Sequence, residues 1–144
     1  MINMFPLLSI PVVIYNVMAI GGGAFSTNSQ SIVDNLAKKL FEIPMASGTY
    51  WVVSSGDLLI LISLVMLFAE LLKSTSTGRE AIANHALSLV LFIVCLVQFL
   101  LFGAFASSVF FIITVMTLLD VLAGFIVTIV SSRRDIGISD GYVD

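Results

Sequence analysis

The stretch Val115–Phe125, VMTLLDVLAGF, places one carboxylate, Asp120, in the middle of an otherwise apolar run. Asp57, Glu70 and His85 stand near the borders of other apolar runs, Asn16 lies inside another, and Gln98 lies inside the run that His85 borders. A carboxylate surrounded by apolar sequence could titrate and pass a proton or cation, because ionisable groups are retained in hydrocarbon mainly along such paths. It could also act as a polar link between helices. No other chemistry is spelled out. There is one cysteine, Cys95, and one histidine, His85. That excludes an intrachain disulfide, a paired-cysteine redox centre and a bis-histidine haem, and neither a zinc spacing nor an HExxH pattern occurs. Gly21-Gly22-Gly23 is not followed by Lys-Ser/Thr, so it breaks the chain rather than cradling a phosphate.

The elements that position these residues follow from composition. The 144 residues are 59% hydrophobic and only 10% charged, with a mean hydropathy of +1.14. A soluble domain carries about 25% charged residues, so the solvent of this chain is a bilayer. The charges are too few, and too little clustered, to form the basic patch that nucleic-acid binding requires. Segments of about 20 apolar residues cross a membrane as helices. Four are expected, over residues 4–23, 51–73, 82–102 and 107–131. The expected fold is therefore an all-α integral membrane protein, a four-span bundle forming a single domain. The start lacks the basic n-region of a secretory signal, so the first apolar segment is read as a retained span. Pro11 is expected to kink it. The uncharged GAFASS between spans three and four predicts a tight helical hairpin.

Between spans one and two, Ser31-x-x-Asp34 has the capping-box pattern. Ile32, Val33, Leu36, Leu40, Phe41 and Ile43 then share one helical face, until Pro44. This predicts an amphipathic interfacial helix over 31–43. Tyr50 and Trp51 follow where an aromatic belt belongs. The tail 135–144 is short and acidic, as a frayed end is. Lys73, Arg79, Arg133 and Arg134 fall on one side of the membrane, and Lys38 and Lys39 on the other. Four basic residues against two put both termini in the cytoplasm, in what the pattern suggests is a bacterial inner membrane.

Each span carries small and polar residues at helical spacing, such as Thr117, Asp120 and Gly124 in the last. Such stripes face neighbouring helices. At 1.5 Å rise per residue, Asp120 and Asn16 come to depths of about 16 and 18 Å from the same side and are expected to meet. Asp57 and Gln98, about 9 and 8 Å below the other side, are expected to meet as well. Glu70 and His85 are expected at the inner mouth. A charge at the depth of Asp120 costs at least about 2.5–3.5 kcal/mol on insertion scales. The neutral acid is therefore expected, donating to Asn16 or to a backbone carbonyl.

With little mass outside the membrane, the expected role is non-catalytic: an accessory subunit or assembly component of a larger membrane complex, or a self-associating scaffold. Its partners would be lipid and other membrane subunits, and no cofactor or metal is expected. The expected contacts are Ile32, Leu36, Leu40, Phe41 and Trp51, with a phenylalanine-rich hairpin that includes Phe102 and Phe105. The alternative is a small oligomeric transporter or channel. Asp120 would titrate there, along a path including Asn16, Asp57, Gln98, Glu70 and His85.

Overall fold

The computed structural model describes residues 5–21, 30–73 and 79–139. The chain runs through helix α1 (Ser9–Gly21), a short helix α2 (Gln30–Ala37), strands β1 (Lys39–Pro44) and β2 (Tyr50–Ser54), and the long helices α3 (Ser55–Lys73), α4 (Arg79–Leu101) and α5 (Ser108–Ser139). Among the described residues, three helical stretches are long and apolar enough to cross a membrane: Ser55–Lys73, Ala83–Leu101 and Ser108–Val127, with mean hydropathies of 2.1, 2.2 and 2.5. The last is the most enclosed, 44% buried against 28% and 17%, so α5 is the central helix. It packs on both α3 and α4. The outward faces carry exposed Leu, Ile, Val and Phe, for example Leu61, Val65, Val90, Phe111 and Ile126. Lipid contact demands such faces, because hydrocarbon cannot solvate polar groups.

α1 is a shorter apolar helix than the run 4–23 suggests. Its 13 residues span about 20 Å, against about 30 Å of hydrocarbon. Before it the chain makes a turn, with the Ser9 and Ile10 amides donating to the Pro6 and Leu7 carbonyls, each at 3.0 Å. Because the helix starts at Ser9, Pro11 falls in its first turn. A missing N–H costs nothing there, so the expected Pro11 kink is replaced by a helix start. Gly22 and Gly23 lie outside the described residues, as do positions 1–4 and the tail beyond Ser139. Residues 135–139, expected in the tail, continue α5 instead.

The segment after α1 departs most from expectation. The helix predicted over 31–43 ends at Ala37, and residues 39–44 pair antiparallel with 50–54. Phe41 stands opposite Val53, Ile43 opposite Trp51 and Pro44 opposite Tyr50. At the tip the Gly48 amide donates to Met45 O at 2.9 Å, and Gly48 takes a φ of 82°. Glycine adopts that left-handed conformation without steric cost. The β-branched and aromatic run Tyr50-Trp51-Val52-Val53 favours a strand, and it supplies a pairing partner that helical periodicity does not register. The hairpin returns the chain so that α3 begins against the end of α2. The Ser55 hydroxyl donates to the Asn35 and Leu36 carbonyls, and the Ser55 amide to Lys38 O at 3.0 Å. These bonds occupy carbonyls that a helix C-terminus otherwise leaves open.

Ile32 and Leu36 point inward. They join Val12, Tyr15 and Ala19 of α1, Leu59 of α3, and Phe105, Phe110 and Ile113 in one core cluster. Tyr15 anchors it. Its hydroxyl bonds the Ala104 carbonyl (3.1 Å) and the Ser107 hydroxyl (2.7 Å), and its ring packs against Phe105 and Phe110 at centroid distances of 5.6 and 4.6 Å. Ser107 Oγ also accepts from the Phe110 amide at 3.1 Å, capping α5. The uncharged α4–α5 connection is thus pinned to α1. Phe105, expected as a surface contact, is buried here, while Phe102 stays exposed.

Two substitutions test this packing. A Cβ on Gly56 would lie 3.0 Å from Val109 Cγ2 and 3.1 Å from the Leu36 carbonyl oxygen. Gly56→Val is expected to destabilise the α2–α3–α5 junction by about 1–3 kcal/mol, read as a lower unfolding midpoint in detergent. Tyr15→Phe removes both hydroxyl bonds and should cost about 1–2 kcal/mol in the same measurement.

Candidate functional site

The polar side chains sort into four groups with different degrees of closure. At the start of α3, the Asp57 carboxylate accepts from the Ser54 amide (2.9 Å) and the Ser54 hydroxyl (2.7 Å), while Ser54 Oγ accepts from the Asp57 amide (3.2 Å). This is a reciprocal capping box, and Asp57 is exposed. The Ser54-x-x-Asp57 spacing signals it in the sequence. The cap holds Asp57 away from Gln98.

Gln98 instead meets Asn16. Gln98 Nε2 donates to Asn16 Oδ1 at 2.7 Å, and Asn16 Nδ2 returns a longer bond to Gln98 Oε1 at 3.4 Å. Asn16 Nδ2 also donates to the Val12 carbonyl at 2.8 Å. The amide pair joins α1 to α4 and leaves nothing for Asp120. The expected Asn16–Asp120 and Asp57–Gln98 pairs are therefore replaced by one Asn16–Gln98 pair. Depth estimates set height along the membrane normal; the rotation of each helix decides which neighbour a side chain faces.

Where α3 ends and α4 begins, Glu70 is fully buried within the protein. Its carboxylate accepts from the Leu7 amide (2.8 Å), from Lys73 Nζ (3.2 Å) and from Asn84 Nδ2. Lys73 Nζ also donates to Asn84 Oδ1 (3.0 Å) and to the Phe5 carbonyl (2.9 Å). One buried carboxylate thus binds the segment before α1 to both α3 and α4, with its charge matched by Lys73.

The fourth group lies between α4 and α5. Asp120 is 1% exposed, and neither carboxylate oxygen has a hydrogen-bond partner. Ser88 is equally buried and faces Asp120, yet its hydroxyl closes no bond within hydrogen-bond geometry. His85 stands one turn from Ser88 on the same face of α4. Its Nδ1 is buried and also without a partner. The His85 ring sits against Gly124, one turn from Asp120 on α5, where a Cβ would come within 2.3 Å of Nδ1. Only glycine admits the ring. Thr117, one turn the other way, is satisfied by the Thr114 carbonyl at 2.7 Å.

Cys95 is buried within the apolar core. Among the described residues no three His, Cys, Asp or Glu side chains gather as metal ligands. Of the expected contact residues, Leu40, Phe41, Trp51 and Phe102 are exposed, and Ile32, Leu36 and Phe105 are buried. Helical periodicity had no means of finding the opposition of Ser88 and Asp120, which belong to different helices.

Glu70→Leu is expected to leave Lys73 and Asn84 facing an apolar side chain. It should destabilise the bundle by about 3–5 kcal/mol, measured by reversible unfolding in mixed micelles. Asn16→Leu, which strands only a neutral amide, should cost about 0.6–2 kcal/mol. The chain matches no family model, no curated protein and no solved structure, so these residues themselves carry the reading of its function.

Proposed function

We propose that this chain is a non-catalytic membrane protein, an accessory subunit or assembly component of a larger membrane complex. In this reading α1, with the residues before it, is the fourth span of a four-helix bundle. The membrane is a bacterial inner membrane, and the Lys/Arg distribution puts both termini in the cytoplasm. The hairpin β1–β2 then lies on the outer side.

One observation supports docking above the rest. Leu40, Phe41, Ile43, Tyr50, Trp51 and Val52 are all exposed on the hairpin. Successive strand residues point to opposite faces, so both faces of the ribbon are apolar. A two-stranded ribbon is marginal by itself, and apolar cover on either face stabilises it. A neighbouring membrane subunit supplies such cover with side-chain complementarity that lipid headgroups lack. The closed Glu70 and Asn16–Gln98 networks fit the same reading, because they hold helices together and expose no reactive group.

The test is purification of the tagged full-length protein in gentle detergent from its native membrane. A membrane partner is expected in fixed stoichiometry. The double substitution Phe41→Ser, Trp51→Ser should release it while leaving the unfolding midpoint within about 0.5 kcal/mol, as for surface changes. Retention of the partner by that variant would count against docking through the hairpin.

A second reading is favoured by Asp120 alone, whose buried carboxylate lacks a partner. It is a small transporter or channel, oligomeric because few helices enclose a pathway, with Asp120 as its titrating group. Asp120→Asn should then abolish ion flux into proteoliposomes without unfolding the protein. Undiminished flux in that variant would sink it.

A further inference from the structure

Three of the four polar groups described above are closed. Asp57 has Ser54; Glu70 has Lys73, Asn84 and a backbone amide; Asn16 has Gln98. The fourth is open: both Asp120 oxygens, the Ser88 hydroxyl oxygen and His85 Nδ1 are buried and unpartnered on facing turns of α4 and α5. Unpartnered buried polar atoms are uncommon in folded proteins and call for an explanation when they cluster. From this juxtaposition we infer that Asp120, Ser88 and His85 form an internal proton-binding site, with the proton held on Asp120 and exchanged through His85.

The chemistry follows from the groups present. A carboxylate without a partner in hydrocarbon must acquire a proton or a cation. The charged or titratable groups that act on Asp120 are Glu70 and Lys73 from α3 and His85 from α4. Lys73 is already engaged by Glu70 and Asn84, so it does not serve as the counter-ion. The remaining atoms are a hydroxyl, which both donates and accepts, and an imidazole nitrogen, which does either according to its protonation. A site of one carboxylate, one hydroxyl and one imidazole suits proton exchange better than an alkali cation, which prefers an all-oxygen shell. His85 is the exit because the residue is only partly buried while its Nδ1 lies inside. Gly124 keeps the ring there, since any side chain at that position would displace it.

The site shares its carboxylate with the transport reading but does not require flux. A flux-negative protein with a protonated Asp120 would end that reading and leave this one standing.

The experiment is labelling of the full-length protein in lipid nanodiscs with dicyclohexylcarbodiimide, mapped by mass spectrometry. At a carboxyl group the reagent adds to the protonated acid. The acid's oxygen bonds to the central carbon, its proton passes to a nitrogen, and rearrangement leaves a stable N-acylurea. Asp120 is expected to label at neutral pH at least about tenfold faster than the ion-paired Glu70, and the rate should fall about tenfold for each pH unit above the site's own titration point. His85→Gln should shift that pH profile, whereas Ser88→Ala should change the rate and keep the profile's shape. Asp120 labelling no faster than Glu70, or at a rate independent of pH, would overturn the proposal. Protection by sodium chloride but not choline chloride at constant pH would overturn it in favour of a sodium site. The wild-type measurement needs no variant, so it decides the matter even if a substituted protein fails to fold.

Discussion

Hydrocarbon offers a buried polar group no hydrogen bond, and this constraint organises the molecule. In water an orphaned amide or hydroxyl finds a solvent partner; between lipid-facing helices it must find one in the protein. The Glu70 carboxylate meets the demand most completely. It takes bonds from α3, from α4 and from the backbone ahead of α1, so the position of a short first helix depends on a group two helices away in the chain. Tyr15 does the same at the opposite end, holding the α4–α5 connection to α1 through its hydroxyl.

These two anchors explain why so short a helix packs in register. α1 alone has little area to bury, and apolar contact gives it no preference over lipid, because lipid tails are as apolar as leucine. Directional bonds ahead of α1 and at Tyr15, with the Asn16–Gln98 pair next to the latter, supply the preference. The middle of the bundle is assembled differently. α4 and α5 approach closely because Gly124 has no side chain, and the approach brings Ser88 and His85 to Asp120. Close contact and an open polar site thus share one cause.

The hairpin obeys the same constraint from outside. A ribbon with two unpaired edges is tolerable only where water, headgroups or a partner reach its backbone. It therefore belongs outside the hydrocarbon, where Tyr50 and Trp51 present an apolar body and a polar tip. Asp57 and Ser54 close the backbone of α3 as it leaves that region, which makes Asp57 a cap.

Composition by itself determined the solvent of this chain. Ten per cent charged residues cannot cover a water-exposed surface, and runs of about 20 apolar residues can only be helices in lipid. The long helices at 55–73, 79–101 and from 108 onward follow from that, as does the inward turn of Asp120, whose stripe with Thr117 and Gly124 marks a buried face. Partners were decided only in three dimensions. Periodicity fixes which face of a helix is polar, but the rotation of one helix against another sets whether Asn16 meets Asp120 or Gln98. Residues 39–44 became a strand for the same kind of reason. Their apolar spacing suits a helix, yet pairing with 50–54 supplies hydrogen bonds that local spacing does not encode. Tertiary contact alone brought Ser88, His85 and Asp120 together, since no distance along the chain relates facing turns of two helices.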